Sequence, residues 1–397
     1  MMVCNGRRCL LFVLFIVILM GGCKTMESCG VPAGSPYRNP AELERGEIIH
    51  VPTGLSVSEA EFFDLTAGNR LFYIGEAHDN IYDHRLELKI IRELQRRFPG
   101  RLAVGMEMLG RQSQEEIDRW LAGELDEKAF LEVFGRDWGV LDFPYYRELL
   151  EFIRSNHIPL LAINVSKAER MSLVQERREL LGGSYPEPDD PYQKEALAAM
   201  FSGHDHGHLE LFYAMQLLWE ETMAESLVSY LDSDAGRDKK MVVITGGFHS
   251  AYGFGVPRKV LRQCKWPYVI VASTTPAALV ENERQLMEVD FPSLPLYVAD
   301  YLWCVPYRNL KDDQVRLGVH LSDLEDRVKV AAVQPDSAAA RAGVQAEDLI
   351  VVIDGQPVSR SLDVQFAVLG KKAGDRCRLI LSRDGQEFEV TVEFRSN

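Results

Sequence analysis

The sequence predicts an α/β protein in which a mainly parallel sheet is flanked by helices, followed by a small β-rich domain. From about residue 60 onward, short and nearly continuous apolar runs alternate with longer segments of helical period, as in stacked strand–helix units. Near the C-terminus, alternating apolar and polar residues are split by Asp384-Gly385, a pattern typical of a β-hairpin. A chain of 397 residues is also long enough for two or three domains.

Residues 1–22 have the pattern of an export signal. Two arginines precede an apolar run over residues 10–20, which is too short to cross a bilayer as a stable helix. The run ends in two glycines before Cys23, which resembles the lipobox of bacterial lipoproteins, where the cysteine receives a diacylglycerol. We therefore expect a lipid anchor at Cys23, with plain signal cleavage as the alternative, and a tether over residues 23–45.

Composition excludes several classes of protein. The formal charge is −15, and such a surface repels phosphate backbones, so we expect no nucleic-acid partner. The seven cysteines contain no C-x-x-C pair, which argues against a zinc ribbon or a thioredoxin-type motif. An oxidising compartment would allow Cys264 and Cys304 to pair, although unpaired structural residues are the simpler interpretation. Export and lipidation predict the bacterial cell envelope: the periplasmic face of the inner or outer membrane, or the cell surface.

Five apolar runs predict the strands of an α/β domain that we expect over residues 46–305. Each run has four or five nearly all apolar residues, as in buried central strands: 71–74, 102–106, 159–163, 241–244 and 268–271. Stripes of apolar residues at helical spacing predict three of the intervening helices, over residues 83–98, 143–156 and 208–231.

Polar residues follow three of these strands, where ligands bind in open parallel sheets. The first strand runs into Glu76 and His78. The second runs into Glu107, and the fourth is followed by His249. Each residue alone is explained as a helix cap or a core histidine, but together they predict one pocket if the strands are neighbours. Arg85, in the helix after the first strand, is expected to pair with Glu76 or Glu107 and keep it ionised.

Four separated motifs then occur in order, at residues 75–80, 105–108, 219–226 and 246–249. Together with the lipobox they resemble the ChaN-like haem-binding lipoproteins of the Tiki and erythromycin-esterase superfamily. This resemblance implies a membrane-anchored protein of bacterial haem uptake or iron acquisition, with haem in a pocket that two protomers can share as a homodimer. The wider superfamily instead implies metal-dependent proteolysis or ester hydrolysis.

The haem interpretation requires an axial tyrosine or histidine. The candidates are the densest histidine tract of the chain and four tyrosines in or beside the family-like segments: His204, His206, His208, Tyr145, Tyr146, Tyr213 and Tyr252. The tract is also explained as a hydrophilic loop, or as a site for zinc, copper or nickel. The sequence does not separate the tyrosines.

The alternative interpretation is a hydrolase of peptides or esters. In that case His78 acts as general base, oriented by Glu76 and Arg85. The ligands of a divalent metal ion are then Glu76, Glu107 and His249. The chain contains neither H-E-x-x-H nor G-x-S-x-G, which argues against a zinc protease and a serine hydrolase with those motifs. Whether the protein is an enzyme stays open.

Residues 306–397 resemble a bacterial PDZ domain, most clearly over residues 316–321, 335–344 and 348–355. The resemblance implies that Leu317, Gly318 and Val319 form a loop that binds the C-terminal carboxylate of a peptide, while the peptide adds to the sheet as a strand. Alternatively, the domain only packs on its neighbour or mediates dimerisation. A third function follows from this module: a scaffold whose α/β pocket is vestigial.

Overall fold

The computed structural model describes residues 39–166, 172–176, 179, 190–200, 209–283, 296–311 and 313–395. It contains an eight-stranded sheet within the α/β domain and a second, six-stranded sheet within the C-terminal domain. This division agrees with the fold class expected from the sequence.

The strands of the first sheet are, in chain order, β1 (Ile48–His50), β2 (Leu55–Val57), β3 (Leu71–Glu76), β4 (Leu102–Gly110), β5 (Leu160–Asn164), β6 (Lys240–Gly246), β7 (Tyr268–Thr274) and β8 (Tyr301–Cys304). Their order in space is β2-β1-β8-β7-β3-β6-β4-β5. The six strands from β8 to β5 are parallel, whereas β1 and β2 are antiparallel at one edge. Since β6 lies between β3 and β4, the three strands followed by polar residues are neighbours.

Besides a short helical stretch at residues 172–176, eight α-helices accompany this sheet among the described residues. They are α1 (Glu59–Thr66), α2 (Ile81–Arg97), α3 (Gln114–Leu121), α4 (Glu127–Asp137), α5 (Phe143–Ser155), α6 (Pro191–Met200), α7 (Leu209–Asp232) and α8 (Val256–Gln263). The Asn80 side chain caps α2 by accepting a hydrogen bond from the Tyr82 amide. Apolar residues of α2 and α5 pack in one core, and those of α7 and α8 pack in a second. Because no helix among the described residues has both the length and the apolar content to cross a bilayer, the structure contains no candidate membrane span.

Two segments at the borders of the α/β domain are packed against it. Leu43, in the expected tether, is buried next to a 3₁₀ helix over Pro40–Glu42. At the start of the expected PDZ domain, Tyr307 and Asn309 are buried, and the Leu310 amide donates to the Tyr145 hydroxyl at 2.6 Å. Apolar side chains fix both segments, although neither shows a periodic pattern.

The C-terminal domain is built on strands β9 (Val319–Leu324), β10 (Arg327–Val333), β11 (Leu349–Ile353), β12 (Gln356–Pro357), β13 (Arg376–Arg383) and β14 (Gln386–Glu393). Helices α9 (Ala338–Arg341) and α10 (Ser361–Leu369) pack with this sheet around a separate core. The main path of the sheet is β14-β13-β11-β10-β9, so β9 is an edge strand. The β13–β14 hairpin turns at Asp384 and Gly385, both at positive φ, as the sequence predicts.

Two ion pairs connect the domains through α4 and α10. Lys128 Nζ lies 2.5 Å from Asp363 Oδ1, and Arg360 Nη1 lies 2.7 Å from Glu132 Oε1. The other carboxylate oxygen of Asp363 accepts from the amides of Ser359 and Arg360, which caps the start of α10. Burial alone would raise the pKa of Asp363, but Lys128 and these amides lower it to about 2.

This pKa predicts a stability loss in acid. A carboxyl group with a lowered folded-state pKa stabilises the fold above its unfolded pKa of about 4, and that contribution disappears as pH falls towards about 2. We therefore expect Asp363→Asn to reduce the difference in unfolding free energy between pH 5 and pH 2.5, measured by urea denaturation. Asp326→Asn, at an exposed turn of the same domain, is the control. Equal pH dependence in wild type and Asp363→Asn would contradict the prediction.

The three cysteines that the structure describes, Cys264, Cys304 and Cys377, are free thiols. Cys304 is buried in the second core of the α/β domain, where its thiol faces the Leu43 carbonyl oxygen at 3.6 Å. The unpaired interpretation of Cys264 and Cys304 therefore matches the structure.

Candidate functional site

The carboxyl end of β3 places Glu76 and His78 at the opening of a buried polar cluster. His78 Nδ1 lies 2.6 Å from Glu76 Oε1, and the Tyr146 hydroxyl donates to the same oxygen at 2.6 Å. The Glu76 side chain is fully buried, whereas 28% of the His78 side chain is exposed. Among the described residues, no hydrogen-bond partner faces His78 Nε2. This nitrogen is thus the accessible basic atom of the cluster.

A second pair occupies the ends of β4 and β6. Glu107 Oε2 accepts from the Gly246 amide at 2.7 Å, and Glu107 Oε1 lies 3.2 Å from His249 Nε2. His249 is in a 3₁₀ turn over Gly247–His249 that directly follows β6. The strand order therefore brings Glu76, His78, Glu107 and His249 together, as expected from the sequence.

Helix α7 completes the environment of His249. The Gln216 amide nitrogen lies 2.9 Å from His249 Nδ1, and the fully buried Glu220 carboxylate lies 3.6 Å from it. Gln193 donates to Glu220 at 2.7 Å, and the Lys259 ammonium lies 3.9 Å from the same carboxylate. Every charge in this region therefore has an opposite charge or a hydrogen-bond partner, as buried charges require.

Electrostatics keep the Glu107–His249 pair ionised. Burial lowers the pKa of His249, but the carboxylates of Glu107 and Glu220 outweigh it and raise that pKa to about 10. Burial likewise opposes ionisation of Glu107, yet His249, His78 and the Gly246 amide hold its pKa below the usual range. Burial lowers the pKa of His78, but the hydrogen bond to Glu76 raises it by more, so the net effect is a rise in that pKa.

Two indole rings lie beside the histidines. The Trp138 ring centroid is 4.9 Å from that of His78, at an interplanar angle of 67°. The Trp219 ring centroid is 5.8 Å from that of His249, at 70°. Both tryptophans are only partly buried, so the cluster opens next to apolar aromatic surface.

Two further members of the cluster, His84 and Glu87 of α2, were not predicted from the sequence. Both are buried, and His84 Nδ1 lies 3.2 Å from both Glu76 Oε2 and Glu87 Oε2. A signal was available, because residues 84, 87, 91 and 94 share one face of α2, and Ile91 and Leu94 are core residues. Polar residues at core positions of an amphipathic helix indicate a buried polar site.

Arg85 does not join the cluster. It is exposed, lies over the Tyr82 ring at 5.1 Å, and lines a separate groove with Arg45 and Lys89. The expectation that Arg85 pairs with Glu76 or Glu107 is therefore wrong. Successive helical residues are rotated by about 100°, so the burial of His84 directs its neighbour towards solvent.

The predicted metal ligands do not form one compact set. Glu107 is paired with His249, whereas Glu76 is grouped with His84 and Glu87. Within the described residues, Glu76, His84 and Glu87 are the group of three whose ligand atoms all lie within 4.8 Å of one another.

Three of the tyrosines proposed as haem ligands have their hydroxyl groups engaged elsewhere. Tyr146 donates to Glu76, Tyr145 accepts from the Leu310 amide, and Tyr213 donates to the Lys194 carbonyl oxygen at 3.3 Å. Tyr252 is half-buried just after the His249 turn and has a positive φ of 56°. The histidine tract of His204, His206 and His208 lies outside the described residues, as does Cys23.

A separate groove of about 1040 Å³ lies between the two domains. The C-terminal domain contributes the predicted carboxylate-binding loop (Leu317, Gly318 and Val319) and the apolar face of α10. The α/β domain contributes Val140, Leu141, Pro144 and Arg147. We call this the interdomain groove. Its open edge is β9, so its backbone groups are available for pairing with an added strand.

Gly246 is required for the close approach of the two pairs. A Cβ at this position would lie 2.7 Å from His78 Nε2, although the backbone φ of −53° suits any residue. We therefore expect Gly246→Ala to displace the His78 ring and to change its NMR-detected titration, with little loss of stability. Gly68→Ala, with no atom within 4 Å of the new Cβ, is the matched control. An unchanged His78 titration in Gly246→Ala would refute this role.

Comparisons with known proteins agree with the two-domain division. A family model described as haem-binding uptake, Tiki superfamily, ChaN, matches residues 62–260, half of the chain, and a PDZ-domain model matches residues 315–394. Among solved structures, cofacial haem-bound ChaN of Campylobacter jejuni aligns with a TM-score of 0.52 and 15% identity. The alignment covers 67% of this chain and 98% of that one, and at this identity it shows the fold alone.

Shorter similarities link the chain to bacterial proteases. It is 47% identical over 63 residues to a candidate zinc metalloprotease of Mesorhizobium japonicum, covering 16% of this chain and 17% of that protein. It is 34% identical over 68 residues to the periplasmic serine endoprotease DegP of Escherichia coli K12, covering 17% of this chain and 14% of DegP. The chain thus spans less than a fifth of either relative.

Proposed function

This chain belongs to the ChaN family of haem-binding uptake proteins in the Tiki superfamily, and from that premise we propose that its α/β domain binds haem at the opening of the polar cluster. The observation that carries the proposal is His78, whose partly exposed imidazole presents an unpartnered Nε2 within the described part of the chain. A neutral imidazole nitrogen is a common axial ligand of haem iron. The residues therefore fit the cofactor that the family implies.

The surroundings of His78 support this assignment. Glu76 accepts from His78 Nδ1, which fixes the ring orientation and increases the basicity of Nε2, as carboxylates do for metal-ligating histidines. Trp138 and Trp219 supply apolar aromatic surface for a porphyrin. When bound, haem would supply an iron centre whose properties depend on this axial ligand.

The test is a haem titration of the purified chain followed by absorption spectroscopy. A Soret band shifted from that of free haem is expected, and His78→Ala should remove the shift, whereas His157→Ala, at an exposed position, should not. A wild-type chain without any shifted Soret band would refute haem binding. A shift that survives in His78→Ala would instead direct the search to Tyr252 and to His204, His206 and His208.

We further propose that the protein is a lipoprotein of the bacterial envelope that serves haem uptake, anchored through Cys23. The lipobox-like end of residues 1–22 supports this, and a tether would hold the α/β domain near the membrane surface. Incorporation of labelled fatty acid in wild type and its loss in Cys23→Ala are expected. Export without lipid would leave plain signal cleavage as the correct interpretation.

The C-terminal domain is proposed to bind the C-terminus of a partner peptide in the interdomain groove. The edge strand β9 offers backbone pairing, and the Gly318 loop lies at the end of that strand. Arg147, Arg316, Lys371 and Lys372 line the groove with Asp313 as the single acid among the lining residues, which suits a terminal carboxylate. The cofacial haem binding of the Campylobacter protein supports a further proposal, that two copies of the α/β domain share the haem pocket.

Metal-dependent hydrolysis is a second candidate, favoured by the 2.6 Å pair between His78 and Glu76. A histidine oriented by a carboxylate, with its other nitrogen accessible, has the arrangement of a general base. Activity on a peptide or ester panel that is restored by Mn²⁺, Co²⁺ or Zn²⁺ after chelation, and lost in His249→Ala, would support it. Absence of hydrolysis under all three ions would remove it.

A further inference from the structure

The inner end of the polar cluster contains a trio of residues that can ligate a metal: Glu76, His84 and Glu87. All three side chains are buried, and their ligand atoms lie within 4.8 Å of one another. Glu76 enters from β3, whereas His84 and Glu87 enter one turn apart from α2. The trio therefore joins the central strand to the helix that follows it.

The hydrogen bonding of His84 defines which nitrogen faces the carboxylates. His84 Nε2 lies 3.2 Å from the backbone carbonyl oxygen of His78, which only accepts, so Nε2 carries the hydrogen. In the neutral imidazole, Nδ1 then presents its lone pair between Glu76 Oε2 and Glu87 Oε2. Nδ1 and the two carboxylate oxygens face one another, so either a proton on Nδ1 or a metal ion must lie between them.

The distances fit a metal ion between the ligand atoms, and the His84–Glu87 separation also fits a hydrogen bond. A charge-assisted N–H···O bond in proteins is about 2.7–2.9 Å long. Two ligands of a first-row metal, each about 2.1 Å from the ion, are separated by about 3.0 Å at an octahedral edge and about 3.4 Å at a tetrahedral edge. Both separations of His84 Nδ1 from a carboxylate oxygen are 3.2 Å, within the coordination range and longer than the charge-assisted bond.

Two oxygens of the trio also lack hydrogen-bond partners. Glu76 Oε2 and Glu87 Oε1 are buried, and within the described residues neither meets a hydrogen-bond donor at bonding geometry. A buried polar atom without a partner costs about 1–3 kcal/mol, so such atoms usually mark a missing ligand, ion or water. These orphaned oxygens belong to the same two carboxylates that face His84.

Outer contacts hold the trio in place. Glu76 Oε1 is fixed by the Tyr146 hydroxyl and His78 Nδ1, each at 2.6 Å. The His84 ring lies against the Tyr146 ring, with centroids 4.4 Å apart. Metal-ligating histidines characteristically donate their second ring nitrogen to a carbonyl or carboxylate, and ligating carboxylates are themselves hydrogen-bonded. Both features are present here.

We propose that Glu76, His84 and Glu87 bind a divalent first-row transition-metal ion. Two carboxylates balance the 2+ charge, which a buried site requires. One imidazole with two carboxylates suits Mn²⁺, Fe²⁺, Co²⁺ or Zn²⁺ rather than Ca²⁺ or Mg²⁺, which prefer oxygen ligands alone. The ion would bind independently of haem and would tie α2 to β3 beneath His78.

The competing account has no metal and places protons on Glu87 and on His84 Nδ1. Burial lowers the pKa of His84, but the Glu76 and Glu87 carboxylates outweigh it and raise that pKa. Burial, together with the neighbouring Glu76 carboxylate, raises the pKa of Glu87 well above its usual range. A neutral Glu87 would leave the trio with Glu76 as the single carboxylate charge. The two accounts differ in metal content, so measurement of bound metal decides between them.

The test uses the purified haem-free chain, refolded with Co²⁺ and dialysed, with cobalt measured by mass spectrometry and visible absorption. One Co²⁺ per chain is expected in wild type, and Glu87→Gln should weaken Co²⁺ binding at least tenfold. Glu148→Gln, at an exposed carboxylate outside the cluster, should keep full occupancy. Less than one tenth of an equivalent in wild type, or equal Co²⁺ binding in wild type and Glu87→Gln, would overturn the proposal.

A measurement on wild type guards against a variant that does not fold. X-ray absorption at the cobalt edge should show a shell of nitrogen and oxygen with one imidazole, and a shell with two or more imidazoles would contradict the trio. Haem binding is read separately from the Soret band of metal-free chain. Failure of the metal site and failure of the haem proposal are therefore distinguishable.

Discussion

Replacing Gly318 by alanine is expected to abolish peptide binding in the interdomain groove. Gly318 has a φ of 76°, a conformation that costs an L-residue about 1–2 kcal/mol. The added Cβ would also lie 2.2 Å from Ser337 Cβ, so the loop must move away from the start of α9. Since the loop lies at the end of β9, this movement removes the expected carboxylate site.

Gly343→Ala provides a matched control for this prediction. Its φ is 85°, but no atom lies within 4 Å of the new Cβ, so it carries the backbone cost without the clash. Binding is measured by fluorescence polarisation with a peptide library that has free C-terminal carboxylates, and with the same peptides amidated. Affinity should fall at least 100-fold in Gly318→Ala and stay near wild type in Gly343→Ala. Equal losses in both variants would show that the loop position is unimportant.

Glu107→Ala is expected to cause the largest loss of stability in the α/β domain. The substitution leaves the buried Gly246 amide without its acceptor, and it removes the nearer of the two carboxylates beside the His249 imidazolium. Removing one member of a buried ion pair typically costs about 3–5 kcal/mol. Urea denaturation of the variant should show a loss of this size.

The control is Glu148→Ala, in an exposed pair. Glu148 lies 3.4 Å from Arg92, with more than half of each side chain in solvent. Exposed ion pairs contribute about 0–1 kcal/mol, so this variant should unfold nearly as wild type does. Similar losses in the two variants would mean that burial of the Glu107–His249 pair does not govern its contribution.

The sequence predicts the central strands well because their burial on both faces produces continuous apolar runs. The runs at 71–74 and 241–244 lie inside β3 and β6, and strand order then brings Glu76 and His249 to one edge. The antiparallel strands β1 and β2 have three residues each and carry no such signal. A strand can therefore be predicted from the sequence when it is long and buried on both faces, and is missed when it is short.

Side-chain direction is the part of the site that the sequence did not supply. Arg85 and His84 are adjacent, yet one is exposed and the other is buried against Glu76. Tyr145 and Tyr146 are likewise adjacent, and their hydroxyls contact the Leu310 amide and Glu76 respectively. The order of the strands shows where the pocket lies. Which of two adjacent helical residues points into it depends on how the helix is rotated about its axis relative to the sheet, and the sequence does not give that rotation.

The short stretch from Trp138 to Arg147 borders two binding regions at once. The Trp138 indole ring contacts His78. Val140, Leu141 and Pro144 line the interdomain groove. A C-terminal domain produced alone would therefore lack the wall of the interdomain groove that the α/β domain contributes. Ligand screens on that fragment would report the preferences of an incomplete receptor, so selectivity profiles should be collected on the intact two-domain chain.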